Sequence, residues 1–306
     1  MTPCNWLTTV VLATTLVSSL HAETQCPGNA ASVPLHPANR YQAVDTVSVF
    51  VNHTGPYNFL LDTGTEITIV DSSLAAELHL TTEGSAEITG AGFHASAAFA
   101  QVDRVEVGSH SVASTRLLVY SLQPMRGAGI VIQGVLGEDF LQHFDVLIDN
   151  AHNRLCLDDT GVMRAAIKGP HIPLETSVHS AGGAEALSSL VVTVNLSDGM
   201  RPLRMKLDSG ATAPVLYDAF SCLAIHLSPS AMEFGTGANG VEETFVHVPP
   251  QNVRIGSVKL PSVPFVAVTG LGKASAAGDF DGLLPLGLFR RVFICHTEHF
   301  VVLESR

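Results

Sequence analysis

The sequence is poor in aromatic residues, at 6%, and poor in charge, at 14% of its 306 residues. Long amphipathic helices need charged faces and bulky apolar stripes. Their shortage, beside plentiful Val, Ala, Thr and Gly, favours short strands joined by many turns. Basic residues are fewer than acidic ones, 16 against 28, and the formal net charge is −12. No basic stripe exists to neutralise phosphates, which argues against nucleic acid as a partner. No block of like charge marks a membrane-surface patch. The 14 His form no HExxH or comparable cluster, no Cys pair has CxxC spacing, and no GxSxG occurs. Metal, thiol-redox and nucleophile-elbow chemistry therefore have no motif to rest on, and neither metal nor cofactor is expected.

Trp6 to Leu20 is apolar or small throughout and carries no charge. It is too short to span a bilayer, and Leu20-His21-Ala22 closes it with a small residue where a signal peptidase can cut. Residues 1–22 are read as an export signal. An uncleaved anchor is the alternative, because no Lys or Arg precedes the apolar run. Export predicts a periplasmic or secreted protein with no stable membrane association after cleavage. It also permits disulfides. Cys4 leaves with the signal, and Cys26, Cys156, Cys222 and Cys295 allow three pairings or stay as buried thiols.

What the sequence does contain is itself, twice. Val33-Pro34-Leu35 is answered by Ile172-Pro173-Leu174, and Val47–Asn52 by Leu190–Asn195. Leu61-Asp62-Thr63-Gly64 returns as Leu207-Asp208-Ser209-Gly210, an offset of 146. Gly90-Ala91-Gly92 and Gly235-Thr236-Gly237, then Val107-Gly108-Ser109 and Ile255-Gly256-Ser257, follow at 145 and 148. Gly134-Val135-Leu136-Gly137 is answered by Gly282-Leu283-Leu284-Pro285. Six landmarks in one order at a nearly constant offset read as a duplicated domain. The expected organisation is a first lobe over 23–160, a linker region over 161–186 and a second lobe over 187–306.

Within each copy the apolar runs are short, and most are bounded by Gly, Pro, Asn or Asp. Val47–Val51, Phe59–Leu61, Val102–Val107, Val146–Ile148, Leu190–Val194, Val263–Val268 and Phe300–Leu303 read as strands. Ser72–Leu78 and Glu138–His143 read as short helices, with Val215–Cys222 and Leu286–Arg291 as their counterparts. The fold class expected is all-β: two similar half-barrel lobes packed face to face about a pseudo-twofold axis.

Asp62 and Asp208 each follow an apolar strand and precede a hydroxyl residue and Gly. The Gly allows a tight turn that aims amides at the carboxylate, and the hydroxyl of Thr63 or Ser209 can fix the loop. A lone Asp-Thr-Gly is ordinary turn chemistry. Two copies at matched places in a duplicated domain instead bring two carboxylates to one axis. Like charges that close share a proton and can act as acid and base together. One asymmetry stands out: Thr65 follows the first motif and Ala211 the second. The extra hydroxyl beside Asp62 makes Asp208 the expected proton carrier.

The run Leu-Leu-Asp-Thr-Gly-Thr, the Gly-rich segment downstream and Gly-Val-Leu-Gly-Glu-Asp-Phe-Leu resemble a retropepsin-type aspartic peptidase. Asn52–Gly64 is similar to the bacterial exported members in particular. The second copy resembles the same pattern through Leu-Asp-Ser-Gly-Ala-Thr and Gly-Leu-Leu-Pro. The resemblance covers 33–157 and 172–304 and implies a pepsin-like bilobal arrangement in one chain, active as a monomer on a polypeptide substrate. It implies Asp62 and Asp208 as the catalytic dyad, with Thr63, Gly64, Thr65, Ser209 and Gly210 supporting the loops. It also implies flaps around Gly90, Gly92, Gly235 and Gly237. The implied activity is endopeptidase hydrolysis by a dyad-activated water, without metal or covalent intermediate.

Some residues depart from the pattern. Glu66 adds negative charge near the dyad, Lys206 stands two positions before Asp208, and Pro285 replaces the Gly137 of the first copy. Neither flap region contains a Tyr, while Phe93 and Phe234 read as core or flap-packing residues. A bilobal cleft that binds peptide or partner without turnover is the competing reading. Retention of both Asp, both hydroxyls and both Gly favours the enzyme.

Overall fold

The computed structural model describes residues 25–39, 44–90, 93–127, 129–175, 178–179, 187–188, 190–196, 201–217, 232–236, 242–268 and 280–306. The export signal expected over 1–22, the centre of the linker and Cys222 lie outside them. No helix among the described residues is long and apolar enough to cross a membrane.

Alternation of buried and half-exposed positions makes strands of most of the chain. In order come β1 (Ala31–Pro34), β2 (His36–Pro37), β3 (Asp45–Val51), β4 (Thr54–Leu61) and β5 (Ile69–Asp71). Helix α1 (Ser72–Glu77) follows, then β6 (Thr82–Gly90), β7 (Phe93–Val107), β8 (His110–Tyr120), α2 (Gln123–Gly127), β9 (Gly134–Leu136) and α3 (Glu138–Leu141). Strands β10 (Asp145–Asp149) and β11 (Arg154–Asp158) precede α4 (Val162–Ala166), β12 (Ile172–Pro173) and the small pair β13 (Val178–His179) and β14 (Leu187–Ser188). The second half contains β15 (Val191–Val194), β16 (Leu203–Asp208), β17 (Val215–Leu216), β18 (Met232–Thr236), β19 (Glu242–Ile255) and β20 (Val258–Val268). It ends with β21 (Gly282–Pro285), β22 (Phe289–Cys295) and β23 (Phe300–Ser305).

The two halves use one strand order. The first sheet runs β2-β3-β4-β9-β5-β8-β7-β6, and an extra pairing of β3 with β7 folds it back on itself. The second runs β15-β16-β21-β17-β20-β19-β18. In both, the strand that leads to the Asp pairs in parallel with a later strand that begins with Gly: β4 with β9, and β16 with β21. A third sheet, β1-β11-β10-β22-β23-β12, takes strands from both halves. At its centre β10 and β22 are antiparallel, with Leu147 opposite Phe293. One contiguous apolar core, including Phe59, Val146, Leu207, Phe265 and Val292, runs through both lobes. A satellite cluster of Cys26, Leu147, Cys156, Met163, Phe293 and Phe300 surrounds the Cys26–Cys156 disulfide. This one bond forms, while Cys295 is a buried free thiol, so none of the three complete pairings is realised.

The expected strands all form, but the second-half helices differ from expectation. Val215–Leu216 is strand β17, parallel to β20 and antiparallel to β21, because it occupies the place of the apolar Ile69-Val70 before α1. Residues 218–222 lie outside the described residues. Leu286–Arg291 is a 3-10 turn over Leu286–Leu288 that passes into β22 at Phe289. Pro285 before it and Gly287 within it remove helix propensity, and the Phe- and Val-bearing run joins the central sheet. In the first half, α1 starts where the Asp71 carboxylate accepts from the Ser73 N–H at 2.9 Å. That cap is worth about 1 kcal/mol.

Candidate active site

Strand β4 delivers Asp62 and strand β16 delivers Asp208 to the boundary between the lobes. The two loops are cross-bolted. Thr63 Oγ1 donates to the Leu207 carbonyl at 3.0 Å, and Ser209 Oγ donates to the Leu61 carbonyl at 2.7 Å. In return the Thr63 N–H donates to Ser209 Oγ and the Ser209 N–H donates to Thr63 Oγ1, both at 3.0 Å. Thr63 is fully buried. Each hydroxyl thus satisfies one backbone acceptor and one donor of the opposite lobe, so all four of these backbone groups are paired.

Each motif glycine lies against the other motif's carboxylate. A Cβ on Gly64 would fall 2.6 Å from Asp208 Cγ, and one on Gly210 would fall 2.7 Å from Asp62 Cγ. Only a residue without Cβ permits that approach. The two carboxylates come within hydrogen-bonding reach of each other. Asp62 Oδ1 accepts from the Gly64 N–H at 2.8 Å and Oδ2 from Thr65 Oγ1 at 2.7 Å. Asp208 Oδ1 accepts from the N–H groups of Gly210 at 2.7 Å and Ala211 at 2.9 Å, and no hydroxyl matches that of Thr65. Burial, and then the charge of Asp62, push the Asp208 carboxyl up to about 8, against the opposing pull of Lys206 and the Gly210 N–H.

Residues behind the first loop hold it in place. The Asp62 N–H donates to the Leu136 carbonyl at 3.1 Å and the Glu138 N–H to the Thr65 carbonyl at 2.9 Å. Asp139 Oδ1 accepts from the Thr68 N–H at 2.9 Å and from Thr68 Oγ1 at 2.5 Å. Burial pushes this carboxyl up to about 6 despite those donors. Glu138 in turn meets His296 from the second half at 2.8 Å, both almost wholly buried.

Asp62, Thr63, Gly64, Thr65, Asp208, Ser209 and Gly210 therefore all meet at one place. Gly90 of β6 pairs with Phe93 of β7, and Gly235 of β18 pairs with Glu243 of β19. Gly92 and Gly237 lie outside the described residues. Three participants were not singled out from the sequence. Asp139 has Gly287 at the matching place, so comparison of the copies gives no signal for it. Glu138 falls within the Gly-Val-Leu-Gly-Glu-Asp-Phe-Leu run, but its partner His296 is 158 residues away with no motif around it. No group of three or more His, Cys, Asp or Glu fit to hold a metal ion occurs among the described residues.

Residues 47–140 match the family model described as aspartyl protease. No curated protein matches the chain. Among solved structures the chain is similar to a retropepsin-like aspartic protease from Rickettsia conorii. The two are 17% identical, with a TM-score of 0.31, over 42% of this chain and 88% of that one. The family match thus lies within the first half of the chain and includes Asp62 and its loop.

Proposed function

We propose that the protein is a single-chain aspartic endopeptidase that hydrolyses peptide bonds with a water activated between Asp62 and Asp208. The observation that carries this reading is the meeting of the two half-sites, with each glycine against the opposite carboxylate. Carboxylates so close share one proton. Asp208, with its raised affinity for a proton, is the acid. Asp62, which accepts from Thr65 and Gly64, is the base. Asp62 takes a proton from water as the water oxygen bonds to the peptide carbonyl carbon, and Asp208 gives its proton to the carbonyl oxygen. The resulting gem-diol then collapses. The C–N bond breaks as nitrogen takes the proton held by Asp62, and one hydroxyl proton returns to Asp208, leaving a carboxylic acid and an amine.

Two features of the setting support related proposals. Both half-sites belong to one chain, so the working form is a monomer. The Cys26–Cys156 disulfide fits an oxidising compartment, in keeping with export.

The test is incubation of the purified protein with a denatured protein across pH, with and without a statine-type transition-state mimic. Cleavage is expected in the wild type, blocked by the mimic and absent from Asp62→Asn and Asp208→Asn. Undiminished cleavage by either variant overturns the reading.

A further inference from the structure

The second half-site contains a charge that the first does not. Lys206 stands two residues before Asp208 on β16, so strand alternation puts both on one side. At the matching place β4 has Leu60, packed in an apolar cluster with Ile69, Leu118 and Val135. Lys206 is only 5% exposed. A buried ammonium must find partners or lose its charge. Its Nζ donates to the Gly64 carbonyl at 2.7 Å, reaching from one lobe to the Asp-Thr-Gly loop of the other. It also lies 5.6 Å from the centre of the Phe280 ring. Among the described residues no carboxylate forms an ion pair with it.

We infer that Lys206 is a positioning residue that sets the working pH of the dyad, by pinning the Gly64 carbonyl across the lobe boundary and placing one positive charge on the Asp208 side of the site. The inference rests on the peptidase reading for its kinetic form.

Other charges nearby are already engaged. Arg204, on the same strand, pairs with Glu175 at 2.5 Å. Asp281, just ahead of β21, pairs with Arg201 at 2.6 Å. Strand β15, whose Val191 lies opposite Lys206, has no charged residue. The first-lobe loop contributes Asp62 itself and Glu66. Of the influences on Asp208, burial and the Asp62 charge raise its proton affinity, while the charge of Lys206 lowers it. Without the cation, both protons of the pair should be held more tightly.

The test compares Lys206→Met, Lys206→Gln and Lys206→Arg. Gln keeps a donor towards Gly64 but no charge, and Arg keeps both. In the two neutral variants both limbs of the kcat/KM–pH bell are expected about one pH unit higher than in the wild type, as loss of a neighbouring opposite charge requires. Arg is expected to hold the wild-type profile. A carboxyl-carbon NMR titration of the same proteins reads the same shift without turnover. Titrations that move in proteins that cleave nothing would support the role of Lys206 while sinking the peptidase reading. A bell and a titration unmoved in folded Lys206→Gln would overturn the inference, whether or not Lys206→Met folds.

Discussion

Gly210 lies against the carboxylate of Asp62, so close that a methyl group on its Cα would stand 2.7 Å from Cγ. No real Cβ tolerates that contact, so one of the two loops must give way. Gly210→Ala is expected to lower kcat/KM about 100-fold, the cost of moving a reacting group by roughly an ångström. Circular dichroism should stay native. A variant with wild-type turnover would show that the loops tolerate displacement and that the glycine is there for the turn alone.

Ser209 ties the lobes from the second side, giving a hydrogen to Leu61 and receiving one from Thr63. Ser209→Ala leaves both backbone groups unpaired at a buried junction. The expected loss is about 1–3 kcal/mol, read from the urea midpoint. Thr63→Ser, which keeps the hydroxyl, should lose much less. Equal losses in the two variants would assign the effect to packing.

Asp139 gives a pH signature. Its carboxyl is raised to about 6, so it stabilises the fold most when neutral. That contribution is complete below the unfolded value of about 3.9 and is lost as pH rises through the folded value. With its partly exposed edge allowed for, the wild type should lose about 2 kcal/mol from this group between pH 4 and 7. The amide oxygen of Asp139→Asn still accepts from Thr68 and does not ionise, so this slope should flatten. Urea titrations at several pH values measure it, and an unchanged slope rejects the assignment.

His296 works in a different window. Burial opposes its charge, but the Glu138 carboxylate, the Phe144 carbonyl and Asp145 outweigh burial and raise its proton affinity. The sign follows: the stabilisation is complete below the usual His value of about 6.5 and disappears as pH rises through the raised folded value. Thermal melts from pH 6 to 9 should fall for this reason, and His296→Gln should remove that part of the fall. A variant that melted in parallel with the wild type would exclude His296 as the source.

Repetition made the site legible. Neither Asp-Thr-Gly nor Asp-Ser-Gly alone says more than turn, yet their matched placement pointed to Asp62, Thr63, Asp208 and Ser209, the residues that meet across the lobes. Strand alternation likewise put Lys206 on the side of Asp208, though its reach to Gly64 depends on how the lobes dock. What stayed hidden lacks a counterpart in the other copy. Glu138 meets His296 where the copies differ, and Asp139 faces a glycine at the equivalent place. Pro285 and Gly287 turned an expected helix into a 3-10 turn, a local signal present in the residues but outweighed by analogy with Glu138–Leu141.

The sheet shared by both halves governs the order of events during synthesis. Strand β10 has β11 on one side and β22 on the other, and β22 is made more than a hundred residues later. Until β22 arrives, the nascent first lobe presents an open strand edge, the kind that recruits other chains. A fragment ending before Phe289 would keep that edge exposed, and a fragment beginning after Asp149 would leave β22 equally bare. The closed sheet should thus appear only late in translation, once β22 has been made.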